Sequence, residues 1–284
     1  MNHLRHILLF VLWTALAGGT SGSALVLPEV SGMVPHRAVY EISLGKATSA
    51  AGITDVRGRL VFEFTGSVCE GFAQNMRFVM EITDREGTAK ISDLRSSTWE
   101  GADGDTFRFE IENLEPDQAA DTEKTVGKAV RDTSGQVEIA LTKPAHADLT
   151  FAGPVYFPLQ HTAALIAAAK RGDKRLEALV YDGSDLGQKL FETATAIGNA
   201  GAGDESELDG VANAQSLKGQ PSWPMTIAYF GTESDLGPGT PEHEMSFRVY
   251  PNGVIRSVKL DYGTLTLDGR LSQIEFLTPK ACSP

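Results

Sequence analysis

The chain has 284 residues, and its 25 Lys and Arg face 37 Asp and Glu, a formal charge of −12. That sign opposes binding to nucleic acid or to anionic lipid surfaces. The length allows one large β domain or two smaller ones, and the two cysteines form no C-x-x-C pair of the kind a zinc site brings.

The N-terminus has the layout of a secretory signal. Arg5, with His3 and His6, makes a positive start, Ile7 to Trp13 an apolar core, and small residues follow. Cleavage is expected after Ala17 or Ala24, so residues 1–24 are assigned to a removed leader and residues 25–284 to a single domain. The apolar run falls well short of the ~20 residues that span a bilayer, and no cysteine follows it for lipid attachment. No later stretch is long and apolar enough for a transmembrane helix. The mature chain is expected to be soluble in the periplasm, with a charge of 24 − 37 = −13 once Arg5 is removed.

Period-two alternation then recurs along the chain. Leu60, Phe62 and Phe64 share one face; so do Met76, Phe78, Met80 and Ile82, and Phe107, Phe109 and Ile111. The pattern returns in QVEIAL, EMSFRVY and VIRSVKLDYGTLTL. It is the mark of antiparallel strands with one wet face, and a dozen or more are predicted. DREG, GADGD, DTSG and PNG supply the turns, with Asn252-Gly253 predicted as a type I′ hairpin.

FPLQHTAALIAAAKRG breaks the alternation. Pro158 suits a first helical turn, Lys170 and Arg171 a last one, and Gly172 a C-terminal cap. Leu159, Ala163, Ile166 and Ala167 give this helix an apolar stripe, expected to plug or line the concave side of a curved sheet. SELDGVANAQSL is read as a loop rather than a second helix, and GNAGAGDESELDG as a mobile surface loop.

Cys69 falls in the bend between two strands and Cys282 near the end of the chain. In an oxidising compartment two lone cysteines have one intramolecular pairing available. A Cys69–Cys282 bond would close a loop of over two hundred residues, worth roughly 5 kcal/mol in the chain-entropy model.

The order and spacing of several segments resemble the EipB family of alphaproteobacterial periplasmic cell-envelope integrity proteins. They are PHRAVYEISL (Pro35 to Leu44), the bend at Cys69, FPLQHT (Phe157 to Thr162), VYDGSD (Val180 to Asp185), WPMTIAYF (Trp223 to Phe230), YPNGVIRSVKLDYG (Tyr250 to Gly263) and Cys282. The resemblance implies a long antiparallel β-spiral, or cup, filled by one helix and closed by a disulfide. It also implies a role in envelope integrity under stress, and it is similar in fold to lipoprotein carriers, which points to ligand binding. The family link to tetratricopeptide-type envelope partners offers a surface-scaffold alternative.

Candidate chemistry is sparse. Tyr156, Gln160 and His161 open the helix; a base or ligand-binding role for His161 competes with a plainer one, a histidine satisfied by backbone carbonyls. In Glu242-His243-Glu244, at most two side chains could converge on a metal, because alternate strand residues face opposite ways. Asp182 to Asp185 and Asp103 to Asp105 lack the ligand count of a calcium loop and read as tight turns. No hydrolase or phosphate-binding motif occurs, so neither enzyme activity nor a cofactor or metal is expected. The aromatic and methionine faces read mainly as core. The candidate ligand cup combines Met76, Phe78 and Met80 with Tyr156, Phe157, Gln160, His161 and Ile166. A hydrolase of envelope polymers, third in order, would need His161 clustered with a carboxylate and a hydroxyl.

Overall fold

The computed structural model describes residues 30–114, 123–231, 239–279 and Cys282. The expected leader, residues 1–24, lies outside the described residues.

Strands β1 (His36–Ala47), β2 (Ile53–Ser67), β3 (Gly71–Asp84), β4 (Ala89–Glu100), β5 (Thr106–Leu114), β6 (Glu123–Arg131), β7 (Val137–Lys143) and β8 (Ala147–Phe151) follow one another. Then come β9 (Val155–Tyr156), the helix α1 (Pro158–Arg171), β10 (Arg175–Val180), β11 (Phe191–Ile197), β12 (Trp223–Gly231), β13 (His243–Val249), β14 (Ile255–Asp261) and β15 (Leu265–Phe276). All fifteen belong to one sheet, in the order β8 to β1, then β15 down to β9. Every ladder is antiparallel except β9 with β10. The chain therefore starts mid-sheet, winds out to one edge and crosses to the other through residues 152–154. It then returns to pair its last strand with its first.

The sheet curls until its two edges share a core. Phe107, Phe109 and Ile139 of one arm pack with Val155, Phe157, Tyr181 and Leu190 of the other. Fifteen strands with a seam between β8 and β9 make a nearly closed, barrel-like wall. Curling removes most of the exposed edge that a flat sheet would offer to aggregation.

Helix α1 lies inside this wall, as its composition anticipates. Leu165, Ile166, Ala168 and Ala169 pack on Trp223, Met225, Ile227 and Phe247, while Leu159 packs on Phe64 and Phe72. The stripe is wider than periodicity suggests: Ala164, Leu165, Ala168 and Ala169 are buried too, while Ala167 is half-buried. A helix enclosed by a sheet is apolar nearly all round. Its alanines let the backbone approach the wall, and Gly172 ends it in the left-handed conformation (φ 86°), with Asp173 N donating to Ala168 O at 3.0 Å.

Two turn expectations change. The PNG hairpin is not type I′, because that turn needs Asn252 at positive φ and only Gly253 has it (φ 86°). Pro251 fixes its own φ near −65°, which favours a type I turn, and Gly253 takes the left-handed position after it. The acidic glycine-rich stretch, residues 198–210, is exposed from Asn199 to Glu207, as a surface loop is, but its 3-10 turn at Glu205–Leu208 docks it by burying Leu208 in the main core, and the next turn, Ala214–Leu217, buries Ala214 and Leu217 there too. Two leucines and an alanine at that spacing give the segment enough apolar surface to dock.

The expected cysteine pair is bonded: Cys69, in the β2–β3 turn, joins Cys282 with Cα atoms 5.7 Å apart.

Candidate functional site

Register across β2 to β6 builds the inner wall row by row. One row runs Phe64, Gln74, Thr98, Phe109 and Gly127; the next runs Phe62, Met76, Ser96, Ile111 and Thr125. Large side chains from β2, β3 and β5 thus alternate with serine, threonine and glycine from β4 and β6. Where the small residues stand the interior stays hollow, and a cavity of about 470 Å³ opens beside Pro158 at the start of α1. Phe62, Met76, Leu94, Ile111 and Leu186 give it apolar walls; Gln74, Ser96, Thr98, Asn113, Thr125 and Ser184 add polar groups, and Glu123, Asp182 and Asp185 bring carboxylates to its lining. An apolar hollow with a few polar atoms is the usual form of a small-molecule site.

Below the hollow, charges fix the N-terminus of the helix. Glu100, at the end of β4, is buried and accepts hydrogen bonds from Leu159 N (2.6 Å) and Gln160 N (3.3 Å). Two otherwise unpaired donors of the first turn are satisfied, and the helix dipole favours a negative group there. Burial outweighs both and pushes the Glu100 carboxyl up to about 7. Arg131 stands across from it. Its guanidinium donates to Gly104 O (2.6 Å), Val155 O (2.7 Å) and Gln160 Oε1 (3.0 Å), and lies 4.8 Å over the Phe157 ring. One side chain therefore ties β6 to β9 across the seam and to the helix start.

The segment after β10 forms the remaining wall. Asp185 and Leu186 both adopt left-handed backbone (φ 50° and 59°), strain of roughly 1–3 kcal/mol each for non-glycine residues. Local bonds hold them there: Asp182 Oδ1 accepts from Ser184 N and Oγ, Tyr181 Oη donates to Gly187 O, and Lys189 bridges Asp185 (2.8 Å) and Glu242 (2.9 Å). The strained turn is what sets Leu186 against the cavity.

A family model described as EipB-like matches residues 28–278. The chain belongs to the EipB-like family. It is 31% identical over 270 residues to the cell envelope integrity protein EipB of Brucella abortus (strain 2308), covering 93% of this chain and 90% of that one. It is also similar to a solved Brucella abortus structure described as a beta-barrel-like protein of a domain of unknown function. The TM-score is 0.77 at 31% identity, over 87% of this chain and 99% of the other.

This EipB-like chain disperses the residues singled out as a cup. Met76 lines the hollow. Phe78 is buried in the main core with Met80 packed against it; Phe157 belongs to the seam cluster, and Ile166 to the contact between α1 and β11–β13. Gln160 is committed to Arg131, Gly104 O and Phe157 N. His161 is 4% exposed and its Nε2 has no hydrogen-bond partner, contrary to the carbonyl-satisfied histidine expected; burial holds its pKa down to about 4. Tyr156 is half-buried, its ring 6.4 Å from that of His161.

Of the acidic motifs, Glu242 pairs with Lys189, His243 stacks on Tyr229 at 4.4 Å, and Asp103 Oδ1 accepts from Asp105 N inside a turn. Among the described residues no group of three or more His, Cys, Asp or Glu is placed to hold a metal. Sequence reading missed Ser96, Thr98 and Thr125. Their signal was small polar residues in inward register with aromatic neighbours, visible only once strand pairing is known. No described helix is long and apolar enough to cross a membrane.

Proposed function

We propose that this chain maintains cell-envelope integrity, including under stress, as a non-enzymatic binding protein of the periplasm that takes a hydrophobic ligand into its interior cavity. The family and the name of the Brucella relative, a cell envelope integrity protein, support the envelope role. The leader-like N-terminus supports export, with residues 25–284 acting as one unit. The observation that carries ligand binding is the hollow of about 470 Å³ walled by Phe62, Met76, Leu94 and Ile111. Its walls suit an alkyl chain, and Met76 adapts easily to varied shapes.

The test pairs extraction with occlusion. Mass spectrometry of solvent extracts from protein isolated from its native envelope should show a co-purifying lipid. Ser96→Phe sets a ring into the hollow and should weaken binding of a fluorescent fatty acid by roughly tenfold or more. A clean extract, together with a Ser96→Phe variant that still supports survival under envelope stress, would reject the cavity as the functional site. That outcome would favour a surface scaffold for a tetratricopeptide-type partner.

A further inference from the structure

A larger cavity, about 900 Å³, lies on the opposite face of the sheet. Register places Thr226, Ser246, Lys259 and Asp268 side by side across β12 to β15, with Arg248 and Arg270 in the adjoining row. These positions alternate with Met225 and Phe247, which pack on α1, so they face away from the helix. The segment around Asp204 to Val211 forms the far wall. It is pinned where Gly201 pairs with Ser222 and where Ala212 N donates to Ser272 O.

Two guanidiniums converge under this wall. Arg256, 1% exposed, donates to Ala202 O (2.9 Å) and has its Nε 2.8 Å from the Glu207 carboxylate, off the line of the N–H. Arg248 donates to Ser222 O (3.1 Å) and more weakly to Gly201 O (3.3 Å). Gly203 takes a left-handed turn (φ 69°) directly against both, and a methyl there would come within 2.7 Å of Arg248 Nε. Burial and the neighbouring Arg256 both lower the Arg248 pKa.

The charges do not cancel pairwise. Glu207 is taken by Arg256 and Asp209 by Lys218 (3.0 Å), while the Asp204 carboxylate accepts from Ser206 N and Oγ. Among the described residues Arg248, Lys259 and Arg270 have no carboxylate within ion-pair distance, although Glu207 acts on Arg248 at longer range. Asp268 and serine hydroxyls share the same lining. A small inorganic anion spans too little of the groove to meet the cations and the acceptors together, and an alkyl chain has no use for the cations. A ligand with fixed negative charge and many hydroxyls uses both: its anionic groups meet guanidinium and ammonium, and its hydroxyls donate to Asp268 and the serines.

We propose that this outer groove binds an acidic saccharide, a sugar chain bearing carboxylate or phosphate groups, at a site separate from the interior cavity. Titration calorimetry of the mature protein with tetragalacturonate, maltotetraose and inorganic phosphate tests it. Tetragalacturonate should bind, with the neutral sugar and free phosphate each weaker by roughly tenfold or more. Lys259→Ala with Arg270→Ala should weaken tetragalacturonate by a similar factor at an unchanged melting temperature, since neither side chain makes a hydrogen bond or ion pair among the described residues. Absence of tetragalacturonate binding, equal binding by the double variant, or equal affinity for phosphate would each overturn the assignment.

Discussion

Burial drives the Glu100 carboxyl up to about 7 even though the first turn of α1 donates two backbone N–H groups to it and Arg131 faces it. In the unfolded chain the same group titrates near 4.5. Between those values the folded state holds a proton that the unfolded state has lost, so this contribution is full below about 4.5 and lost as pH rises through about 7. His161 acts in the opposite sense. Its pKa falls from 6.5 to about 4, so its contribution is full above 6.5 and lost as pH falls toward 4. Burial lowers the pKa values of His36 and His243 as well, adding to the histidine side. Glu100→Gln should therefore leave the histidines unopposed. Stability of the variant relative to the native protein should rise by about 1.4 kcal/mol per pH unit between pH 4.5 and 7, measured by urea unfolding. A flat difference curve would mean that the carboxyl titrates normally in the fold.

At the scale of the element, the end of α1 offers a clean measurement. Gly172 has φ 86°, and a methyl added there would meet nothing within 4 Å. Gly172→Ala thus tests backbone conformation alone, and should cost about 1–2 kcal/mol without altering the fold. A change below about 0.3 kcal/mol would show that the C-cap does not hold the left-handed geometry in solution. Gly172 was legible because cap, basic last turn and Pro158 agree within sixteen residues of sequence. The inward faces of β2, β3 and β5 were legible for the same reason: Phe62, Met76 and Phe107 announce themselves by local alternation. Ser96, Thr98 and Thr125 did not, since small polar residues on a strand read as a wet face until the register sets them beside Met76, Phe109 and Ile111. Leu208 and Leu217 hid among glycines and acids, and Arg248 reads as an ordinary exposed strand position until the segment above it is in place.

For the whole molecule, the decisive contacts are those with no local trace. β1 pairs with β15, His36 opposite Phe276, and the seam is closed by side chains of both arms and by Arg131 of β6, which donates to Val155 O of β9. Neither pairing follows from periodicity; the likeness in order and spacing of PHRAVYEISL, FPLQHT and WPMTIAYF pointed to the curled form, and the cysteine count pointed to the closure. Closure at Cys69–Cys282 spans 213 residues. The β1–β15 ladder already brings the tail close to the β2–β3 turn in the folded state, so the bond adds little native contact. Its effect falls on the unfolded chain, which it holds in a large loop, and the entropic model gives about 5 kcal/mol with observed values for such bonds of roughly 2–5. Replacing both cysteines by serine, which avoids a stray thiol, should lower the melting temperature by about 10 °C while circular dichroism at 20 °C stays that of a folded β protein. The native protein should also run faster on non-reducing than on reducing electrophoresis. Should the double variant melt within about 1 °C of the native chain, the ladder and the seam alone would account for closure, and the staple would be dispensable to stability.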